Sequence, residues 1–368
     1  MTLAVNPNST GSTLALPGKV LRLLSVICTL QLMVSCTEIP PPQLLTVTGA
    51  TMGTWYTVKY LPPQQVGDVA FDQVSAQIHA RLERIDLLMS SYKKDSEVSR
   101  FNRLETYKWF DISQQTLDVV VLAQQISAQT QGAFDISVAS LVSLWGFGPG
   151  VQQQQIPDAD ILANSLEQVG FLNLEVNIVA SQIRKKSALT IDVSAIAKGY
   201  GVDQVAVYLD EIGAESYMVE VGGEIRTKGL KPGNEPWRIA IESPQAQLLG
   251  EQRETQRKVQ KIIDVVDIAV ATSGDYRNYF EKDGQRYSHT IDPKTGYPIT
   301  HNLASVTVLS DSAAHADALA TAFSVMGAEK AIAFATAYNI AAYFIIKESN
   351  GFVVLATDAF GEVPSGGL

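Results

Sequence analysis

The sequence predicts an α+β fold: mostly antiparallel sheet with helices packed against it. Three observations carry this. Segments rich in β-branched and aromatic residues outnumber amphipathic ones, and many of them follow one another directly. Nothing alternates strictly as strand, helix, strand, the pattern a parallel sheet needs for its crossovers.

Each element has its own signal. Val47 to Tyr60 reads as strand, turn, strand around Met52-Gly53. Phe71 to Met89 places Val74, Ile78, Leu82, Ile85 and Leu88/Met89 at helical spacing. Thr116 to Thr130 and the shorter Ile161 to Gly170 are further helices. Leu174–Ile178 and Ala188–Asp192 read as a strand pair, followed by a helix burying Val202, Val205, Leu209 and Ile212. Tyr217–Val221, Trp237–Glu242 and one long run Ile262–Ala271 are strands. The polar stretch Ser243–Lys261 and the run Gln152–Gln155 are exposed loops. The remainder gives strand 303–309, helices 313–326 and 328–337, and a closing strand pair, Ala341–Lys347 with Phe352–Thr357. No internal repeat and no clear linker interrupts 44–368, and 46–368 is expected to be one domain.

Bulk properties narrow the function. The chain has 368 residues and a net charge of −10, which argues against nucleic acid as a partner. Both cysteines, Cys28 and Cys36, fall in the first 36 residues, so no disulfide framework holds the body. Lys19 and Arg22 precede the apolar tract Leu23–Val34, too short to span a bilayer as a mature helix. The tract ends Leu32-Met33-Val34-Ser35-Cys36, which resembles a bacterial lipoprotein cleavage box with Cys36 as the lipidated residue; a plain secretory signal or a short anchor is the alternative. Residues 1–35 are thus expected to be a signal peptide and 36–45 a Pro-rich tether through Pro40-Pro41-Pro42. The expected location is the periplasmic side of a bacterial membrane, lipid-anchored. Thr37 follows the cysteine, so the Asp that retains lipoproteins in the inner membrane is absent. Cleavage removes Lys19 and Arg22 and takes the charge from −10 to −12.

Three stretches carry the chemistry. In Ala314–Thr321, Asp317 and Thr321 stand four apart on one helical face, offering two hard oxygen donors suited to Mg²⁺. Such a pair is common on exposed helices, but its Ala and Leu neighbours point to burial, and a buried Asp needs a cation or donors. In Asp192-Val193-Ser194-Ala195-Ile196-Ala197-Lys198-Gly199, Asp192 or Ser194 can simply cap a helix. Lys198, however, stands in the first turns, where a cation opposes the helix dipole unless an anion binds there too. The Ala195 carbonyl is then a neutral metal ligand beside that anion. His289 precedes the turn Asp292-Pro293-Lys294-Thr295-Gly296, which holds it firmly enough for a general base, although the turn also has a purely architectural reading. Gly222-Gly223 lacks the spacing of a nucleotide fingerprint and reads as a tight turn or as close backbone approach to a ligand. Met52, Tyr92 and Ala133-Phe134-Asp135 are core residues on the bland reading and a clasp for a flat heteroaromatic ring on the other.

Together these motifs resemble the ApbE family of flavin transferases. The matching pieces run in order: Thr51-Met52-Gly53-Thr54, Met89-Ser90-Ser91-Tyr92, Gly132-Ala133-Phe134-Asp135, Leu144-Trp145-Gly146-Phe147-Gly148-Pro149, Asp192–Gly201, Val221-Gly222-Gly223-Glu224-Ile225, Ser273-Gly274-Asp275-Tyr276, Tyr287–Pro298 and Ala316–Thr321. The resemblance implies an ApbE-like, T-fold-related architecture. It implies FAD as substrate, its isoalloxazine near Met52, Tyr92, Ala133, Phe134 and Asp135, with Asp192, Lys198 and Ile291 lining the rest. It implies Mg²⁺ on the Ala195 carbonyl, Asp317 and Thr321. A Thr or Ser hydroxyl of a partner protein attacks, AMP leaves, and FMN remains on the partner. His289 and Lys198 are the expected catalytic pair. The expected acceptors are subunits of NADH:quinone reductase or Rnf-type redox complexes. Ile136 departs from the Pro usual in the family. The competing expectations are a Mg²⁺-dependent FAD pyrophosphatase, a non-catalytic flavin-binding lipoprotein, and a generic solute-binding lipoprotein.

Overall fold

The computed structural model describes residues 43–63, 71–150, 154–244, 259–274 and 278–361. The signal segment, Cys36, the proline tether, most of the polar excursion and Asp275-Tyr276 lie outside them. Strands β1 (Leu45–Thr51) and β2 (Thr54–Tyr60) pair with Met52 and Gly53 between them, at φ 46° and 72°. Two positive φ values in a two-residue loop make a turn whose twist matches the strands. Glycine adopts that backbone freely; methionine does so under strain. Helix α1 (Phe71–Met89) buries Val74, Ile78, Leu82, Ile85 and Met89, the stripe its spacing predicts. Short α2 (Glu97–Asn102) precedes β3 (Phe110–Asp111) and α3 (Gln114–Gln129). Ser113 caps α3, and Glu97 in turn accepts from the Ser113 amide and hydroxyl. Helices α4 (Ala139–Leu144) and α5 (Ala159–Leu166) follow, then β4 (Leu174–Asn177) and β5 (Gln182–Lys185).

Two expected strands come out differently. β4 pairs with β5, not with Ala188–Asp192, of which Thr190 makes only a single bridge to Val138. The chain reverses early because Asn177 Oδ1 accepts the Ala180 amide at 3.1 Å and Ser181 takes φ 51°. The long run from Ile262 splits at Asp267 (φ 54°) into β9 (Val259–Val265) and β10 (Ala269–Gly274). Between β5 and β9 lie α6 (Ser194–Glu211), β6 (Tyr217–Val221), β7 (Glu224–Lys228) and β8 (Trp237–Glu242). After β10 come β11 (Tyr279–Lys282), β12 (Gln285–Ser288), β13 (Leu303–Ser310), α7 (Ala313–Met326), α8 (Ala328–Ala337), β14 (Ala341–Glu348), β15 (Gly351–Ala356) and α9 (Asp358–Gly361).

The main sheet has the order β1-β2-β6-β7-β10-β13-β14-β15, every pairing antiparallel. Smaller sheets are β3-β5-β4, β8-β9 and β11-β12. The predicted α+β class therefore holds. Alternate residues of the central strands enter different cores. Ala271, Val306, Val308 and Phe344 join the helix-side core with Ala316, Ala320 and Phe323 of α7. Val270, Tyr343 and Ile345 meet Trp237, Ile239, Ile263 and Val265 of the β8–β9 hairpin on the other face. Strands covered on both faces read as near-continuous apolar runs: 341–346 is one, and 303–309 is broken only by the buried Ser305 and Thr307.

Two contacts fix α6 against α7. A Cβ at Gly199 would collide with the Ala313 carbonyl, so only glycine lets the helices come this close. Asp203, one turn further along α6, accepts from the Ser312 hydroxyl at 2.8 Å and from the Ala313 and Ala314 amides at 3.0 Å each. It thereby caps α7 from outside, and the Arg226 guanidinium at 2.7 Å from Asp203 Oδ1 balances its charge.

Candidate active site

The close approach of α6 and α7 sets the first part of the site. Asp317 is 5% exposed, and its Oδ2 accepts the Gly199 amide at 3.2 Å. Regular helix geometry aims that amide at the carbonyl four residues earlier, which is Ala195. The Asp317 carboxylate thus lies against the same helical turn as the Ala195 carbonyl. Thr321, half-buried, follows one turn along α7 and makes no side-chain hydrogen bond to the described residues. A carboxylate, a carbonyl and a hydroxyl are the hard oxygen donors Mg²⁺ takes, and the set fits that ion. Among the described residues no three His, Cys, Asp or Glu side chains gather to form a cage. A cation on these ligands therefore needs further oxygens, which water or a phosphate supplies.

Lys198 stands between two carboxylates. Its Nζ is 2.7 Å from Glu224 Oε1 and 3.6 Å from Asp317 Oδ2. Burial opposes its charge, but Asp317 and Glu224 together outweigh burial and push its pKa up, so the ammonium is fixed. Burial raises the Glu224 carboxyl to about 7, with Lys198 pulling the other way. Glu224 opens β7 just after Gly222-Gly223, whose φ values are 60° and 104°. A Cβ at Gly222 would lie 3.3 Å from Lys198 Cδ and 2.8 Å from Thr54 Cγ2. The glycine turn thus lets β6–β7 press against both the lysine stem and the β1–β2 tip. The Gly222 amide donates to the Trp55 carbonyl at 3.0 Å and ties the two turns together. Met52, in that tip, reaches back over Gly201 of α6, its Cε 3.2 Å from where a Cβ would stand.

His289 follows β12. Its Nδ1 lies 2.9 Å from the Asn278 carbonyl oxygen. A carbonyl only accepts, so Nδ1 carries the proton and Nε2 keeps its lone pair. Burial lowers the His289 pKa; the hydrogen bond to the Asn278 carbonyl opposes this, and the Lys198 charge adds to the lowering. The imidazole meets Phe147 edge-on at 6.3 Å; Phe147 continues through Phe280 and Tyr287 to Trp145, with centroids 4.9–5.7 Å apart. Trp145 Nε1 donates to the Gly296 carbonyl at 2.8 Å and so braces the predicted turn, in which the Gly296 amide bonds the Asp292 carbonyl. Tyr92 is 70% exposed, its hydroxyl 3.5 Å from the Phe147 carbonyl.

The 133–136 segment joins the helix entrance through the Asp192 amide, which donates to the Ile136 carbonyl at 2.7 Å. Asp192 Oδ1 accepts the Ser194 amide in a local turn, but neither Asp192 nor Ser194 is the cap: α6 starts at Ser194, and Val193 holds the cap position without a side-chain bond. Phe134 and Ala133 are buried in the core. Asp135 spends its oxygens on Ser137 and on the Phe171 amide at 2.7 Å. Ile291 is buried with Leu141, Trp145 and Leu162. All four side chains are thus buried, and none stands at the surface beside Lys198 as the flavin-lining expectation had it.

A profile described as the ApbE family matches residues 52–344. The chain belongs to the ApbE family. An ApbE relative from Vibrio cholerae, called FAD:protein FMN transferase, is 44% identical over 92% of this chain and 97% of its own length. One of the same description from Escherichia coli is 36% identical over 87% of this chain and 90% of its own. The solved apo form of Pseudomonas stutzeri flavinyl transferase ApbE superposes with a TM-score of 0.81 at 39% identity, covering 90% of this chain and all of that one. Glu224 is the buried partner of Lys198 that sequence reasoning passed over. In Val221-Gly222-Gly223-Glu224-Ile225 the glycines suggest a turn, and the acidic residue directly after them is the signal for a buried charge.

Proposed function

We propose that the chain is a Mg²⁺-dependent FAD:protein FMN transferase, tethered through Cys36 on the periplasmic side of a bacterial membrane. One observation carries the reading: the start of α6, bearing Ala195 and Lys198, meets Asp317 of α7, through the Gly199 amide at 3.2 Å and the Lys198 ammonium at 3.6 Å. The descriptions of the relatives support FAD as the donor and a protein as the acceptor. Ala195, Asp317 and Thr321 would hold Mg²⁺, which neutralises charge developing on the diphosphate oxygens. The acceptor Thr or Ser oxygen bonds to the phosphorus on the FMN side of FAD. The bond from that phosphorus to the oxygen bridging to AMP breaks, and AMP departs with the electron pair. The hydroxyl proton passes to His289 Nε2, the lone pair its hydrogen bond to Asn278 leaves free. Lys198 holds a phosphate oxygen and balances its charge. The acceptors in this reading are redox subunits of NADH:quinone reductase or Rnf type.

The test incubates the full chain with FAD, Mg²⁺ and such a subunit. Covalent flavin fluorescence on the subunit, lost in Asp317→Ala and His289→Ala, is the expected result. AMP and free FMN with no labelled subunit would replace transfer by pyrophosphate hydrolysis. Bound FAD with no product would leave a flavin-binding lipoprotein.

A further inference from the structure

Glu224 has no part in the roles assigned above, yet it makes the shorter of the two contacts to Lys198. Its side chain is 5% exposed, and its Oε2 is buried without a hydrogen-bond partner among the described residues. An acid kept there at that cost stabilises the fold poorly, since a buried ion pair does little better than an apolar one of the same shape. Taking the transferase reading as its basis, we infer that Glu224 is a positioning residue: it draws the Lys198 ammonium off Asp317 and so keeps the Asp317 carboxylate for the cation.

The argument is one of competition. Lys198 and a divalent cation both want Asp317. With Asp317 as its single partner, the ammonium would close on it, neutralise it and stand where the metal belongs. With Glu224 at 2.7 Å the lysine is 3.6 Å from Asp317, a looser contact that a cation can displace. The geometry is rigid on the Glu224 side, because residue 224 starts a paired strand opposite Val221. The Gly222 turn leaves the lysine stem just enough room to lie there.

The test measures FAD binding to the full chain by flavin fluorescence as Mg²⁺ is raised, beside the unfolding midpoint. Glu224→Gln keeps the shape and an acceptor for Lys198 but removes the charge. It is expected to raise the half-saturating Mg²⁺ concentration about tenfold, with little change in the unfolding midpoint. In a Lys198→Met background the same change is expected to have no effect, because Glu224 acts through the lysine. An unchanged Mg²⁺ requirement in Glu224→Gln would overturn the inference, and so would an equal shift in both backgrounds. If Glu224→Gln does not fold, Glu224→Asp serves: it withdraws the carboxylate by one methylene and is expected to raise the requirement, whereas a wild-type requirement would count against the proposal. Should Asp317→Ala and Lys198→Met leave FAD binding untouched, the transferase reading itself fails, whatever Glu224 does.

Discussion

His289 shows how much one hydrogen bond decides. The Asn278 carbonyl fixes the proton on Nδ1, so Nε2 is the basic atom, and burial with the Lys198 charge keeps the ring neutral. The acid limb of the transfer rate is therefore expected below the ordinary histidine value of about 6.5, with no loss from this group at pH 7 and above; rate measured against pH checks it. The same shift makes stability fall on acidification from about 6.5, because the unfolded chain takes up a proton the folded one resists. His289→Gln is expected to lower kcat by about 10²–10⁴-fold with little change in FAD affinity, read from steady-state and binding measurements on the same sample. The residue and its rigid turn were visible in the sequence. The tautomer was not, since it depends on a carbonyl 11 positions away brought close by the β11–β12 hairpin.

Helices α6 and α7 act as a unit, and their contact is where stability and function meet. Gly199→Ala inserts a methyl group against the Ala313 carbonyl. It is expected to cost about 1–3 kcal/mol of unfolding free energy and to weaken Mg²⁺-supported FAD binding together with it. Asp203→Ala leaves the α7 start and Arg226 without their acceptor. It is expected to cost about 3 kcal/mol in denaturant unfolding, although Asp203 sets α7 only from outside the donor group. The long helix Phe71–Met89 was legible because a single apolar stripe specifies it, and Ala313–Met326, buried on nearly all sides, because its run of Ala and Leu favours helix. The break between β9 and β10 was not. Val265-Val266-Asp267-Ile268 is apolar enough to read as one strand, and only the positive φ at Asp267, whose Oδ1 accepts the Gly229 amide at 2.8 Å, reveals the turn. The pairing of β4 was missed for a similar reason: the turn chemistry at Asn177–Ser181 is local and polar, and an apolar stretch further on looked like the better partner.

At the scale of the molecule, an all-antiparallel sheet of eight strands carries on one face the helices that bear the site and on the other the β8–β9 hairpin. The class of fold could be read because strands followed strands. The strand order could not, since β6, β7 and β10 insert between β2 and β13 through pairings far apart in sequence. Asp317, Lys198 and Ala195 were legible as chemistry, and only the packing of α6 on α7 shows them as one place. The central claim is that a cation held between these helices joins FAD to the chain. Calorimetric titration of the full chain with FAD, at zero and at saturating Mg²⁺, tests it most directly. Tight binding that needs Mg²⁺, and a loss of that dependence in Asp317→Ala, is the predicted result. FAD affinity that responds to Mg²⁺ equally in the wild-type chain and in Asp317→Ala would contradict it.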